Sequence, residues 1–333
     1  MSNQVHQLSR AVIAIIMVLT FSAMSFAGSP QNNEKTKSSQ SPQELTLAEY
    51  SQNEALSLDQ RVLATAALGE FYGANAVIAV GRASRSSHKE LRRAAIQAAS
   101  KWQGKAKWDV VSPLLNDSNY LVKQEAVRTL VVLWPQLSQA YIDVLGPAVD
   151  YHLTNLPTDL EGDLERAWIY RLQGNDSNSE PLYTKMHARY SDPRVSLVNA
   201  EYLKDRDKNQ QAISLLETSL IEYPNYAATY YSLGLAYYRA SRSEEAITQL
   251  RRSYEIEPSN TKFGYAYASL LGVAKPIEAV NVFKDIYARN QQPTYLYAWC
   301  NALLSAEQNA ESCLQNLEKV APKDVVVELK QRY

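Results

Sequence analysis

The stretch that decides the fold runs from Ala227 to Asn260 and reads AATYYSLGLAYYRASRSEEAITQLRRSYEIEPSN. Two amphipathic helical segments lie on either side of a short polar sequence. The small residue of the second segment recurs at intervals of 34, 33 and 31 residues, as Ala212, Ala246, Ala279 and Ala310. A larger apolar residue follows each of them four positions later: Leu216, Leu250, Phe283 and Leu314. A small residue lets two helices approach and the larger one fills the gap a turn later, so the period predicts stacked helical hairpins.

The same stretch resembles the tetratricopeptide repeat (TPR). Seven residues stand at the spacing of that family: Tyr230, Leu233, Gly234, Tyr237, Ala246, Leu250 and Pro258. Ser253 replaces the alanine that is usual there. Weaker copies lie around Ala212 and Ala279, and fainter ones around Ser179 and Ala310. The resemblance implies a solenoid of TPR hairpins over residues 151–333, closed by a capping helix, and a role in binding other proteins.

A different repeat, with a period of 31 residues, precedes this array. Arg61, Ala64 and Leu68 are echoed at two later places. The echoes are Arg92, Ala95 and Ala99, and then Lys123, Ala126 and Leu130. This pattern resembles the inner helix of the HEAT repeat, which implies HEAT-like helical pairs over residues 51–150. We therefore predict one all-α helical-hairpin solenoid in which HEAT-like repeats are followed by TPR repeats, with the change near Pro157.

The N-terminal residues have the pattern of a secretory signal peptide. A polar start with Arg10 is followed by the apolar run AVIAIIMVLTFSAM and then by small residues at Ser25 and Ala27. We predict a signal peptide over residues 1–27 and export, to a bacterial periplasm; retention of the segment as an anchor is the alternative. Residues 28–50 are predicted to be a disordered linker, although residues 45–56 also fit an additional capping helix.

Composition and motifs argue against several classes of function. The chain holds 34 basic and 35 acidic residues, a formal net charge of −1, so it has no overall positive charge that would attract nucleic acid. The sequence contains no HExxH, GxSxG, Walker or GxGxxG motif, and its histidines do not cluster. We expect no catalytic residues, no metal site and no cofactor.

The TPR resemblance also implies where a partner would bind. The first helix of each hairpin lines the groove in that family, and the groove positions fall on Tyr231, Leu235, Tyr238 and Arg239 in the best copy. In the weaker copies they fall on Glu201 and Lys204, and on Trp168 and Arg171. Aromatic rings offer large contact area, and Lys or Arg can pair with a peptide carboxylate. The alternative is that these aromatic residues are packing residues, as Tyr230 and Tyr237 are; in the groove interpretation, replacing Tyr231 and Tyr238 leaves stability nearly intact.

A second candidate surface is a run of basic residues. Between Arg82 and Lys107 there are eight Lys or Arg and one acidic residue, Glu90. The run is either a solvated helix surface or a dock for an acidic partner. The candidate residues for that dock are Arg82, Arg85, Lys89, Arg92 and Arg93.

The chain has two cysteines, Cys300 and Cys313. They lie on either side of the predicted last hairpin turn, and export to an oxidising compartment would favour a disulfide between them. Two buried free thiols are the alternative.

Three hypotheses of function follow. The first is an exported, non-catalytic scaffold that binds a protein or peptide. The second is an assembly factor in the periplasm, because the order of HEAT and TPR arrays also resembles the portion that accompanies the haem module of some multihaem cytochromes; a cytochrome would then be the partner. The third, an enzyme of unusual type, has no residue cluster to support it.

Overall fold

The computed structural model describes residues 41–333. Within that range it contains eighteen α-helices and no strand, which confirms the predicted all-α class. The described chain forms two compact units, one ending at Ala188 and the other beginning at Arg189. The predicted signal peptide and most of the predicted linker lie outside the described residues. The predicted change of repeat type near Pro157 lies inside the first unit.

The first unit is a series of short helices with a small-residue core. The helices are α1 (Pro42–Gln52), α2 (Leu58–Ala67), α3 (Ala74–Ala83), α4 (Lys89–Ser100), α5 (Gly104–Val111), α6 (Tyr120–Val131), α7 (Gln139–Asn155), α8 (Leu160–Gln173) and α9 (Asp176–Arg189). The helices that carry the period of 31, α2, α4 and α6, pack side by side in sequence order. Their alanines, among them Ala64, Ala95 and Ala126, are buried, which allows the close packing of neighbouring helices.

Helix α1 corrects the predicted linker over residues 42–50. Ala48 and Ser51 are buried, and the carboxylate of Glu44 accepts a hydrogen bond of 2.9 Å from the backbone N–H of Ala76 at the start of α3. A Cβ at Gly73 would lie 2.2 Å from that carboxylate, so the glycine makes the approach possible. Glu44 thereby acts as a cap on another helix, and this long-range contact orders a segment of polar composition.

One partly buried carboxylate joins three helices of the first unit. Glu165 on α8 accepts hydrogen bonds from the guanidinium of Arg128 on α6 and lies 2.7 Å from Nε2 of His152 on α7. Burial raises the pKa of Glu165, but the hydrogen bonds and charges of Arg128 and His152 outweigh it and hold the pKa at about 2. The carboxylate is therefore charged at neutral pH and ties α6, α7 and α8 together.

The second unit is a stack of helical hairpins. Its helices are α10 (Pro193–Lys204), α11 (Asn209–Glu222), α12 (Ala227–Arg239), α13 (Ser243–Ile256), α14 (Thr261–Ala274), α15 (Pro276–Arg289), α16 (Pro293–Ser305), α17 (Glu311–Leu317) and α18 (Lys323–Gln331). From α10 to α17 each helix packs on the next one along the chain. The periodic residues that predicted these pairs are all buried: Ala212, Ala246, Ala279 and Ala310, with Leu216, Leu250, Phe283 and Leu314.

Helices α12 and α13 can pack closely because Gly234 has no side chain. A Cβ at this position of α12 would lie 2.7 Å from Cγ of Leu250 and 3.1 Å from the carbonyl oxygen of Ala246, both on α13. The glycine of the repeat that best matches the TPR pattern therefore lies where α12 and α13 contact each other.

The hairpin turns explain where the repeat is regular and where it is not. Asp207, Ser241 and Glu307 have positive φ values of 56°, 62° and 54° and follow the first helix of their pairs. In contrast, α14 and α15 are joined by the single residue Lys275, whose φ is −143°. The shortened connection changes the register of α14 relative to α15.

The last hairpin carries a disulfide between Cys300 on α16 and Cys313 on α17, with Cα atoms 5.5 Å apart. Both residues are buried. The bond joins α16 and α17, and α18 follows them with Val326 and Leu329 buried in the same core.

Candidate peptide-binding surface

Helix α12 presents the four predicted groove residues on one side. Tyr231, Leu235, Tyr238 and Arg239 are spaced three to four residues apart or adjacent, which places them on one stripe of a helix. The three apolar side chains are half-buried and pack against the core of the second unit, while Arg239 is exposed. The stripe is therefore partly a packing surface and partly open to solvent.

Tyr231, at the N-terminal end of this stripe, is held in place by its neighbours and is called the Tyr231 platform below. Its ring lies 4.9 Å from the ring of Phe263 on α14, and Nζ of Lys262 lies 4.9 Å from its centroid. Burial, and secondarily the negative charge of Glu201, raise the pKa of Tyr231 to about 12. The hydroxyl consequently stays protonated and can donate a hydrogen bond.

The charges contributed by α10 are largely matched within the chain. Lys204 donates to the carboxylate of Glu201 on the same helix and lies 3.4 Å from Asp205. The predicted role of Lys204 as a cation for a peptide carboxylate thus competes with these two neighbours, and Glu201 brings negative charge toward Tyr231.

Arg239 is in a different situation. Its Nε donates a hydrogen bond of 3.2 Å to Asn209 Oδ1, and no carboxylate in the described chain lies within ion-pair distance of its guanidinium. Although the side chain is exposed, the surrounding protein lowers the pKa of Arg239, against the opposing effect of Glu201 and Asp205. Arg239 is therefore an exposed cation that can pair with an acidic group of a partner.

Lys262 was not among the predicted residues. It is exposed, sits over the Tyr231 ring and, like Arg239, forms no ion pair within residues 41–333. Counting 34 residues forward from Ala228 reaches Lys262, and the same step from Tyr231 reaches Tyr265. Counting forward with the period of 34 residues therefore places both residues correctly. Counting backward from Ala279 crosses the connection of only one residue, Lys275, and puts each residue of α14 one position out of place.

The aromatic row continues onto the next hairpins. Tyr265 on α14 lies 6.0 Å from the ring of Tyr295 on α16, and the Tyr295 hydroxyl is 3.0 Å from the Thr261 hydroxyl. The first helices of three successive pairs therefore each contribute a tyrosine, of which Tyr265 is buried and Tyr231 and Tyr295 are exposed in part.

Two predicted groove residues belong to the first unit. Trp168 and Arg171 lie on α8; Trp168 is half-buried against the core of that unit, and Arg171 is in the last turn of the helix. The cluster around Tyr231 is formed by the second unit alone.

The predicted basic surface is divided by ion pairs. Arg92 makes two hydrogen bonds to the carboxylate of Asp117, and Arg93 pairs with Glu125. Arg82, Arg85 and Lys89 remain exposed.

The described residues hold neither a metal-binding cluster nor a membrane-spanning helix. Between residues 41 and 333, His, Cys, Asp and Glu side chains nowhere gather in threes as a metal ion requires. Over the same range, helices long and apolar enough to cross a bilayer are absent.

No protein-family model and no curated protein matches this sequence. Among solved structures it is similar to YrrB, described as a TPR protein with an unusual peptide-binding site, at 14% identity and a TM-score of 0.43 over 52% of this chain and 92% of YrrB. It is also similar to MamA, at 14% identity and a TM-score of 0.41 over 53% of this chain and 98% of MamA. A third similar structure is a thermophilic TPR protein from Thermus thermophilus, at 19% identity and a TM-score of 0.37 over 52% of this chain and 96% of the Thermus protein.

Proposed function

We propose that the protein is a non-catalytic scaffold that binds a peptide segment of another protein on the second unit. The observation that carries the proposal is the Tyr231 ring with Lys262 over it and Arg239 two turns further along the same stripe of α12; both cations are exposed and have no acidic partner at ion-pair distance within the described residues. A peptide with an aromatic or branched apolar side chain next to a carboxylate would match both features.

We also propose where the protein acts and which process it serves. Export to a periplasm is supported by the signal-peptide pattern of residues 1–27. The second candidate function, an assembly factor for a periplasmic complex with a cytochrome as partner, is supported by the order of the two repeat patterns in the sequence. An uncharacterised enzymatic role has no residue cluster in its favour.

Site-specific crosslinking tests the location of the binding surface. A photoreactive phenylalanine analogue placed at Tyr238, on the same stripe of α12, keeps both cations and should capture a partner in cells that make the protein. The same analogue at Lys284, an exposed residue on the second helix of a pair, is the matched control. Mass spectrometry identifies the captured protein, and absorbance of the product shows whether it contains haem. Equal capture at both positions, or capture at Lys284 alone, would contradict binding at the Tyr231 platform.

The choice of loss-of-binding variant follows from the packing. Because Tyr231 and Tyr238 pack against the core, replacing both by alanine removes buried apolar surface as well as any ligand contact. Arg239→Ala together with Lys262→Ala removes the two exposed cations and leaves the packing in place. This pair should weaken partner capture with an unchanged unfolding midpoint, whereas unchanged capture would exclude the two cations from the binding surface.

A further inference from the structure

The eight basic residues between Arg82 and Lys107 do not form one positive surface. Arg93 pairs with Glu125, Lys101 with Glu70 and Lys105 with Asp109. Lys107 is buried. Arg92 is also internal, since its guanidinium and the Asp117 carboxylate form a partly buried pair with two hydrogen bonds of 2.6 and 2.9 Å. Of the eight basic side chains, only those of Arg82, Arg85 and Lys89 remain available to pair with an acidic partner.

These three residues lie at the connection between α3 and α4. Arg82 is in the last turn of α3, Arg85 follows the helix, and Lys89 begins α4. All three side chains are exposed, and none forms an ion pair within the part of the chain that the structure describes. The pKa values of Arg92 and Arg93 are raised mainly by their hydrogen bonds to Asp117 and Glu125, and to a smaller extent by the charge of Glu90, the one carboxylate of the run.

The Arg92–Asp117 pair also holds this connection in shape. Nη1 of Arg92 donates hydrogen bonds of 2.9 Å to the carbonyl oxygens of Ser86 and Ser87. These two residues lie between Arg85 and Lys89, so the buried guanidinium fixes the backbone that presents the exposed cations. Arg92 is a positioning residue for the surface.

A cleft of about 360 Å³ adjoins the connection. Ser87, His88, Ser118 and Asn119 line it together with the cations Lys89 and Arg92 and one carboxylate, Glu90, while Arg82 and Arg85 lie outside the lining. Carboxylates are acceptors only, so a cleft with these donors next to three free cations matches an acidic side chain.

We propose that this connection, defined by Arg82, Arg85 and Lys89 and called the basic hairpin, docks an acidic peptide segment of a partner protein. Three free cations are few for a nucleic-acid backbone, where about 6–10 phosphate contacts are usual. They are also few for an anionic membrane, where each basic residue contributes only about 1 kcal/mol. Three cations are sufficient to pair with the carboxylates of a short acidic segment. The basic hairpin belongs to the first unit and its proposal does not depend on the Tyr231 platform.

The test measures binding of a fluorescein-labelled peptide with six consecutive acidic residues to the mature protein by anisotropy, over a series of salt concentrations. The variant is Arg82→Glu/Arg85→Glu/Lys89→Glu. The matched control, Lys284→Glu/Lys319→Glu/Lys323→Glu, changes the net charge equally at exposed lysines of the second unit. We expect salt-sensitive binding by the wild type and the control, and a loss of at least about tenfold in affinity in the variant.

Three results would overturn the proposal. They are equal affinity in all three proteins, an equal loss in the variant and the control, and tighter binding of the wild type to phosphatidylglycerol vesicles or duplex DNA than to the peptide. Circular dichroism checks that the variant is folded, and Arg82→Ala/Arg85→Ala/Lys89→Ala replaces it if it is not. Because the Arg239→Ala/Lys262→Ala protein keeps the basic hairpin, it should bind the acidic peptide like the wild type.

Discussion

Replacing Gly234 by alanine should destabilise the second unit, although alanine is the better helix former. In an unconstrained helix interior the change would stabilise by about 1 kcal/mol. Here the new Cβ would lie 2.7 Å from Cγ of Leu250 and 3.1 Å from the carbonyl oxygen of Ala246. Leu250 is 1% exposed and the Ala246 atom is backbone, so neither can withdraw without moving α13. Overpacking of this kind costs about 1–3 kcal/mol, which leaves a net loss of up to about 2 kcal/mol.

Gly272 supplies the matched control within the same unit. It is also inside a helix, α14, but a Cβ there would meet only Cβ of Ala279, at the ordinary contact distance of 3.5 Å. Gly272→Ala should therefore stabilise by up to about 1 kcal/mol. Urea unfolding followed by far-UV circular dichroism compares the two variants with the wild type. If Gly234→Ala raised the midpoint as Gly272→Ala does, the α12–α13 contact would not be as close as the structure shows, and the reasoning from the repeat would fail.

Three further predictions follow from single contacts. Cys313→Ala, which removes the disulfide and its 13-residue separation, should cost about 3 kcal/mol, and dithiothreitol should lower the unfolding midpoint of the wild type but not of the variant. Because the pKa of Glu165 is held at about 2, below its ordinary value of 4.5, its contribution on the order of 3 kcal/mol is complete above pH 4.5 and lost as the pH falls toward 2; the stability difference between wild type and Glu165→Gln should shrink over that interval. Arg92→Ala should destabilise by about 3 kcal/mol because it leaves Asp117 unpaired, while Arg82→Ala at an exposed site should change the unfolding free energy by less than about 0.5 kcal/mol.

The helical pairs of the second unit were predictable because their constraint is local in sequence. Two helices joined by a short turn can approach only where one of them carries a small residue, and Ala212 and Ala246 satisfy this condition at nearly constant spacing. The prediction lost accuracy at the one connection whose length differs, Lys275. A turn shortened to one residue shifts the helix that precedes it, and Lys262 and Tyr265 were missed for that reason.

Helix α1 and the basic run were harder to predict because their partners are distant along the chain. The segment around Glu44 is polar enough to pass for a linker, and it is ordered by a contact with Ala76, 32 residues later. Arg92 and Arg93 pair with carboxylates 25 and 32 residues downstream. Counting local charge treats such arginines as available, whereas the tertiary fold decides which of them a partner can reach.

The α12 stripe shows why residue type does not separate packing from binding. Tyr231 packs against Phe263 and also forms the platform, so a binding defect after its replacement has two explanations. Arg239 and Lys262 make no comparable contribution to the core, and each has an exposed side chain. Within the described residues their contacts are with the Tyr231 ring and Asn209, so a binding defect with an unchanged unfolding midpoint indicates contact with the ligand. The exposed cations beside an aromatic platform therefore test the function of this surface more sharply than the aromatic residue that predicted it.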